Sequence, residues 1–285
     1  MSDLPPPEVK FPLTEKNAGT TAADSLPSDT LSGVALPPAW KFRDLITYLI
    51  FSLMSLVLVQ ALAWFCYGLL RPWLGLSLPP ELVFRSAYGA VAIQTIFYSL
   101  QFGFIYLLVV GGYGRPFCAS LRLTRPKRDS VQFSLIMGLG LALLVTFLPP
   151  VLPDKETFPL QELFSSPGAA FTIATFAVTL APLIEELIFR GFIFAILEKT
   201  VDTKTAIVIS ATLFALSHVP EYWGAWDHIL RVSLVGLALS ITRAWTGSLT
   251  PSIIIHTTYN FVLITIIYFQ TNGFQKLAVT LGNQK

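Results

Sequence analysis

Residues 176–197 read FAVTLAPLIEELIFRGFIFAIL, an apolar run broken by two adjacent carboxylates, Glu185 and Glu186, and by Arg190 one turn later. A carboxylate near a bilayer centre costs roughly 2.5–3.5 kcal/mol on insertion scales, so such a residue within a lipid-compatible segment marks a functional site by default. Two of the chain's three histidines, His218 and His256, also fall in apolar segments. The run therefore points to a membrane protein that does chemistry, or moves something, inside the bilayer.

Composition supports the same class. Hydrophobic residues make up 53% of the 285 positions and charged residues 13%, against about 25% charged in a typical soluble domain. A soluble fold of this length could not cover so large an apolar fraction, and a spanning chain must satisfy its backbone in helices or a closed barrel. The expected fold is all-α, a polytopic helical membrane protein. Apolar segments predict spans at about 45–70, 86–111, 130–151, 169–198, 205–219, 229–244 and 249–270. The fifth and sixth are too short to cross a core of about 30 Å alone, so seven spans could be six or eight. The net charge of +2 identifies no partner, and no nucleic acid is expected. Cys66 and Cys118 show no pairing pattern and suggest neither a disulfide nor a metal site.

Residues 1–39 hold seven prolines, five acids and two lysines with almost no apolar periodicity, and read as a disordered tail. The basic start and early apolar core of a signal peptide are missing. The remainder divides into a three-helix membrane region at 40–167, a polar-bearing membrane core at 168–272 and a short tail at 273–285. Lys41 and Arg43 precede the first span, Arg115, Arg122, Arg125, Lys127 and Arg128 crowd the loop after the second, and Lys199 and Lys204 follow the fourth. By the positive-inside rule the N-terminus and these loops are cytoplasmic, although Arg71 and Arg85 lie on the other side. Tyr222, Trp223 and Trp226 read as an interfacial belt at the outer face, with His228 solvated beside them.

Glu185 and His218 each lie about 14–16 residues from the 199–204 turn, on the order of 20 Å at the helical rise, so a helix hairpin would bring them to similar depth. His256 is only about 10 Å into the last span by the same rise, which fits less well unless 246–251 dips into the bundle. Asn260 follows one turn on, on the same face. Glu185 and Glu186 are about 100° apart on a helix and cannot share a target. Glu186 and Arg190, at i and i+4 with the acid first, form the natural ion pair. Glu185 is left without a local partner, the setting in which a carboxylate can serve as a general base. A histidine beside it could hold a water or a metal, and a second histidine with an amide could donate to an oxyanion. Pro182 is expected to kink the fourth span and free a carbonyl near the site.

Three motifs in order, E-E-x-x-x-R (Glu185, Glu186, Arg190), F-x-x-x-H (Phe214, His218) and H-x-x-x-N (His256, Asn260), resemble the CPBP intramembrane proteases. That family, also called Abi, includes type II CAAX prenyl endopeptidases and bacteriocin-processing or self-immunity proteins. The resemblance covers about 170–270 and implies Glu185 as the base that activates water, with His218 sharing that water. It also implies His256 and Asn260 as oxyanion donors, Glu186 and Arg190 as supports, and Phe214 as packing beside His218. The implied substrate is a membrane-associated protein or peptide cut in or near the lipid bilayer, and the implied location is a prokaryotic plasma membrane. Glu185, His218 and His256 would make a zinc set with an open position, yet no H-E-x-x-H spacing is present. Metal-assisted and metal-free hydrolysis both stay open. Two rivals remain: a non-catalytic binding or immunity protein of the same family, and a transporter using the same polar residues. The second half alone carries the polar positions and no repeat relates it to the first, which favours an enzyme over a transporter.

Overall fold

The computed structural model describes residues 39–154 and 159–275. Residues 1–38 of the proline-rich tail and 276–285 of the C-terminal tail lie outside the described residues. α1 (Phe42–Leu70) starts where the Asp44 carboxylate accepts the Lys41 N–H at 2.7 Å. After α2 (Pro80–Phe84), α3 (Ala87–Tyr106) starts at Ser86, whose hydroxyl accepts from the Gly89 N–H, and runs into a π-helical turn at Leu107–Gly112. α4 (Phe117–Ser120) and α5 (Arg128–Phe147) follow. α5 stops short of the expected 151 because Pro149 and Pro150 cannot continue it. α6 (Pro159–Glu162) precedes α7 (Pro167–Val178), α8 (Leu180–Glu186), a second π-helical turn (Leu187–Ile193) and α9 (Phe194–Thr200). α10 (Thr203–Ser217) is capped by Asp202, α11 (Trp226–Thr246) ends at Gly247 with φ 64°, and α12 (Thr250–Gln270) closes the bundle.

The chain is an all-α integral membrane protein. Among the described residues five stretches are long and apolar enough to cross a membrane: Phe42–Leu70, Ala87–Gly112, Arg128–Phe147, Trp226–Thr246 and Thr250–Gln270. The sixth predicted span is longer than its apolar core suggested, because Trp226 and Thr246 extend it. The predicted 205–219 span is a 15-residue helix that stops at Ser217. The predicted 169–198 span is not one helix but α7, α8, the π turn and α9 in succession. Every residue from Ile184 to Leu197 is buried. A segment apolar on all faces suits either a lipid-exposed or a wholly buried helix, and here it lies within the protein.

The outer helices turn residues such as Leu53, Phe65, Ile136 and Phe269 outward. α10 packs along α11, and α12 along α5. At Gly138 the second pair approaches so closely that a Cβ would lie 2.6 Å from Thr258 Cβ and 2.8 Å from the Ile255 carbonyl oxygen, whereas Gly140 has open space. Gly138→Ala is therefore expected to destabilise the fold by about 1–3 kcal/mol through overpacking. Thermal unfolding in detergent, with Gly140→Ala as the control, checks this; equal midpoints for the two variants would refute it.

Two polar clasps mark opposite ends. At one, Asp227 accepts from the Val151 and Leu152 N–H groups and from Arg231 Nε, while Asp154 accepts from the Asp227 N–H. His228 joins this clasp, 2.6 Å from Asp154 and stacked on Tyr222, while its side chain stays exposed as the sequence suggested. Trp223 and Trp226 are exposed beside it. At the other end the Tyr113 hydroxyl donates to Asp44, joining the basic loop to the start of α1. The Leu249 N–H donates to the Arg122 carbonyl at 2.9 Å, joining that loop to the α11–α12 turn. The basic segments thus gather at one end of the bundle.

Candidate active site

The site begins at a backbone break. Pro182 offers no N–H, and its ring clashes with the carbonyl four residues earlier, that of Val178. α7 ends at Val178, and Thr179 departs from helical geometry at φ −110°, ψ −77°. The expected kink is present, displaced one turn towards the N-terminus for this reason. The Asn260 side-chain amide donates to the neighbouring Ala177 carbonyl at 2.7 Å. α8 then carries Glu185 and Glu186 in its last turn. The π turn that follows places one extra residue per turn, a distortion frequent at functional sites.

Glu186 and Arg190 form the expected pair: Arg190 Nη1 lies 2.8 Å from Glu186 Oε1, with both side chains fully buried. Arg190 Nη2 donates to the Gly236 carbonyl of α11 at 2.8 Å, and its guanidinium lies 4.4 Å over the Phe214 ring. A Cβ at Gly236 would lie 2.9 Å from that ring, so α11 must present glycine here. His256 of α12 reaches both glutamates, with Nδ1 3.0 Å from Glu186 Oε1 and Nε2 3.7 Å from Glu185 Oε2. The depth mismatch expected for His256 is removed by the α11–α12 turn, where Leu249 packs into the core beside Leu121.

Glu185 is not without a partner. The Tyr98 hydroxyl of α3 donates to Glu185 Oε1 at 2.5 Å, and the phenol stacks on Phe176 at 5.8 Å between ring centres. Tyr98 also lines an apolar groove of about 280 Å³ with Ser99, Phe102, Leu180 and Ile184. The sequence carried a signal for it, since Gln94, Tyr98 and Gln101 form a polar stripe at i, i+4 and i+7 of an otherwise apolar span. His218 caps the C-terminal end of α10. Its Nδ1 is 2.8 Å from the Phe214 carbonyl oxygen and its ring is 4.6 Å from the Phe214 ring, which also meets His256 at 5.8 Å. Glu221, in the turn after His218, was also missed. It is an exposed residue whose carboxyl is pushed up by desolvation, with His218 opposing the rise and Glu185 adding to it.

The structure thus brings together Glu185, Glu186, Arg190, His256, Phe214 and Tyr98. His218 adjoins them through Phe214, and Asn260 is engaged by a backbone carbonyl. The Glu185, His218 and His256 trio does not converge as a ligand set: among the described residues no three potential ligands are placed to hold an ion. His256 turns both nitrogens towards carboxylates.

Comparison with curated proteins and with solved structures finds no match. A family model does match, over residues 167–262, and its description is type II CAAX prenyl endopeptidase Rce1-like. The matched stretch starts at the first residue of α7 and ends just past Asn260, spanning all three motifs. The match agrees with the CPBP resemblance read from those motifs: from α7 to the middle of α12 the chain is similar to that family.

Proposed function

We propose that the protein is an intramembrane endopeptidase that hydrolyses a peptide bond of a membrane-associated protein or peptide, with Glu185 as the base. The observation that carries this reading is the position of Glu185. It is held by one phenol, faced by one imidazole, and set beside a fully buried ion pair. Tyr98 fixes the carboxylate through Oε1 and leaves Oε2 as the edge that takes a proton from water. His218 Nε2, free of the Phe214 carbonyl contact, is the second anchor for that water. Attack on the scissile carbonyl moves the water proton to Glu185 and places negative charge on the carbonyl oxygen. Glu185 then delivers the proton to the leaving amine as the C–N bond breaks.

His256 is the proposed electrophile. Because Glu186 can only accept at Oε1, Nδ1 carries a hydrogen, and donation from Nε2 requires the imidazolium form. That form would make the cluster of Glu185, Glu186, Arg190 and His256 electrically neutral. Asn260 Nδ2 gives one hydrogen to the Ala177 carbonyl and keeps a second, the donor proposed for the oxyanion. The arginine-lined end is the proposed cytoplasmic side, in a prokaryotic plasma membrane. The matched family, a CAAX prenyl endopeptidase family, suggests a prenylated CAAX peptide as one substrate class.

The test is cleavage of a membrane-peptide library by purified protein in detergent, with a chelator arm that reports separately on a divalent ion. His218→Ala is expected to remove most cleavage. Tyr98→Phe, which deletes the donor to Glu185, is expected to lower kcat about tenfold with KM unchanged, the loss of one hydrogen bond to a charged group. Cleavage unaltered in His218→Ala would defeat the assignment. A well-folded wild type that cleaves nothing, while the variants still complement a cellular phenotype, would favour the non-catalytic binding reading.

A further inference from the structure

The end of the bundle that carries the basic loop holds two guanidinium groups that the candidate active site does not use. Arg243, in the last turn of α11, is 1% exposed, and its Nε and Nη1 are buried without a hydrogen-bond partner. Arg122, in the loop between α4 and α5, is half-buried with φ 55°, and its Nε is buried and unpartnered as well. The backbones of the two residues are joined at the α11–α12 turn: the Gly247 N–H donates to the Arg243 carbonyl at 3.1 Å, and the Leu249 N–H donates to the Arg122 carbonyl at 2.9 Å. Arg122 and Glu198 of α9 both lie within electrostatic reach of Arg243. Phe194 covers one face of the Arg243 guanidinium at 5.6 Å, which fixes its plane but supplies no acceptor.

Burying a cation with open N–H groups is strongly unfavourable, and a like charge beside it makes the position worse. Glu198 offsets one of the two charges, so one positive charge is left over. The rest of the loop cannot neutralise it, because its remaining charges, Arg125 and Lys127, are exposed cations. The complement is an anion from outside the chain with several acceptor oxygens. A guanidinium fork fits the O–P–O edge of a phosphate with two parallel hydrogen bonds, which a single acceptor does not. The basic segments gather here beside the ends of membrane-spanning helices, where acidic headgroups accumulate.

We propose that Arg122 and Arg243 form a phosphate-type anion site at this end of the bundle, occupied by the headgroup of an acidic phospholipid or by inorganic phosphate. The site lies outside the Glu185 cluster, and its occupation requires no turnover. Full-length protein is compared in phosphatidylcholine vesicles with and without phosphatidylglycerol. In detergent it is titrated with sodium phosphate against sodium chloride of equal ionic strength. The thermal unfolding midpoint is expected to rise by several degrees with phosphatidylglycerol, with phosphate, or with both. The arm that responds identifies the source. Arg122→Gln, at a partly exposed position that leaves the buried Arg243 in place, is expected to weaken apparent binding about tenfold. Arg243→Lys, which keeps charge but loses the fork, should weaken it as well, whereas Lys127→Gln with Arg128→Gln should retain it. Equal responses of wild type and Arg122→Gln overturn the site. A chloride response as large as that to phosphate also overturns it, since screening of the two arginines would then suffice.

Discussion

Glu185→Gln is expected to lower kcat by about 10²–10⁴-fold, the range general-base catalysis supplies, while the protein still folds. Glutamine is nearly isosteric with glutamate and its amide oxygen can accept the Tyr98 hydroxyl that Glu185 Oε1 now accepts at 2.5 Å. The groove wall formed by Tyr98, Leu180 and Ile184 should therefore stay in place. An amide cannot take a proton from water at neutral pH, so binding is preserved and the chemical step is lost. Glu186 keeps both Arg190 and His256, and the ion pair that fixes α8 against α11 is untouched. The prediction is checked by kcat and KM on a cleaved library peptide, with the unfolding midpoint measured on the same preparation. Turnover within a few-fold of wild type would remove Glu185 from the role of base. A collapse of both turnover and midpoint would instead make it a structural carboxylate.

The parts of the site legible in the sequence are those set by local geometry. Glu186 and Arg190 could be paired on paper because i, i+4 contacts on a helix are fixed by the helix itself. The helical class was legible because 53% apolar residues leave a chain little choice. Tyr98 was not identified, because its contact with Glu185 spans 87 residues and depends on how α3 packs on α8. The polar stripe around it was visible but gave no target. The depth of His256 depended on whether 246–251 dips into the bundle, and the inward packing of Leu249 that supplies the dip is not a local property of the sequence. The run from Phe176 to Leu197 was read as one crossing because apolarity on every face fits lipid and protein interior equally. Only packing shows that Ile184–Leu197 is interior. Its interruptions differ in the same way: Pro182 announced the break at Thr179, whereas nothing local announced the π turn after Glu186. Arg243 lay in an ordinary amphipathic pattern, and its isolation is a property of the assembled bundle.

Arg190→Leu is expected to destabilise the protein by about 3–5 kcal/mol, the magnitude for removing one partner of a buried pair. The loss comes chiefly from what it strands: Glu186, fully buried, would lose its cation, and the Gly236 carbonyl would lose its donor. The pair is not an optimal stabiliser even when intact. Glu186 Oε2 and Arg190 Nε are both buried without hydrogen-bond partners. Replacing both residues with apolar ones of similar size removes two desolvated charges together, and such exchanges are often neutral or stabilising. Glu186→Leu combined with Arg190→Leu is therefore expected to recover most of the stability lost by Arg190→Leu alone. It should not recover catalysis. His256 Nδ1 would lose its carboxylate acceptor, the hydrogen on that nitrogen would no longer be fixed, and Phe214 would lose the cation against its ring. Unfolding midpoints and peptide cleavage measured on the single and double variants separate the two effects. Stability and activity returning together in the double variant would mean that the pair only packs the helices. Stability returning alone would mean that a destabilising charge pair is retained because it orients His256.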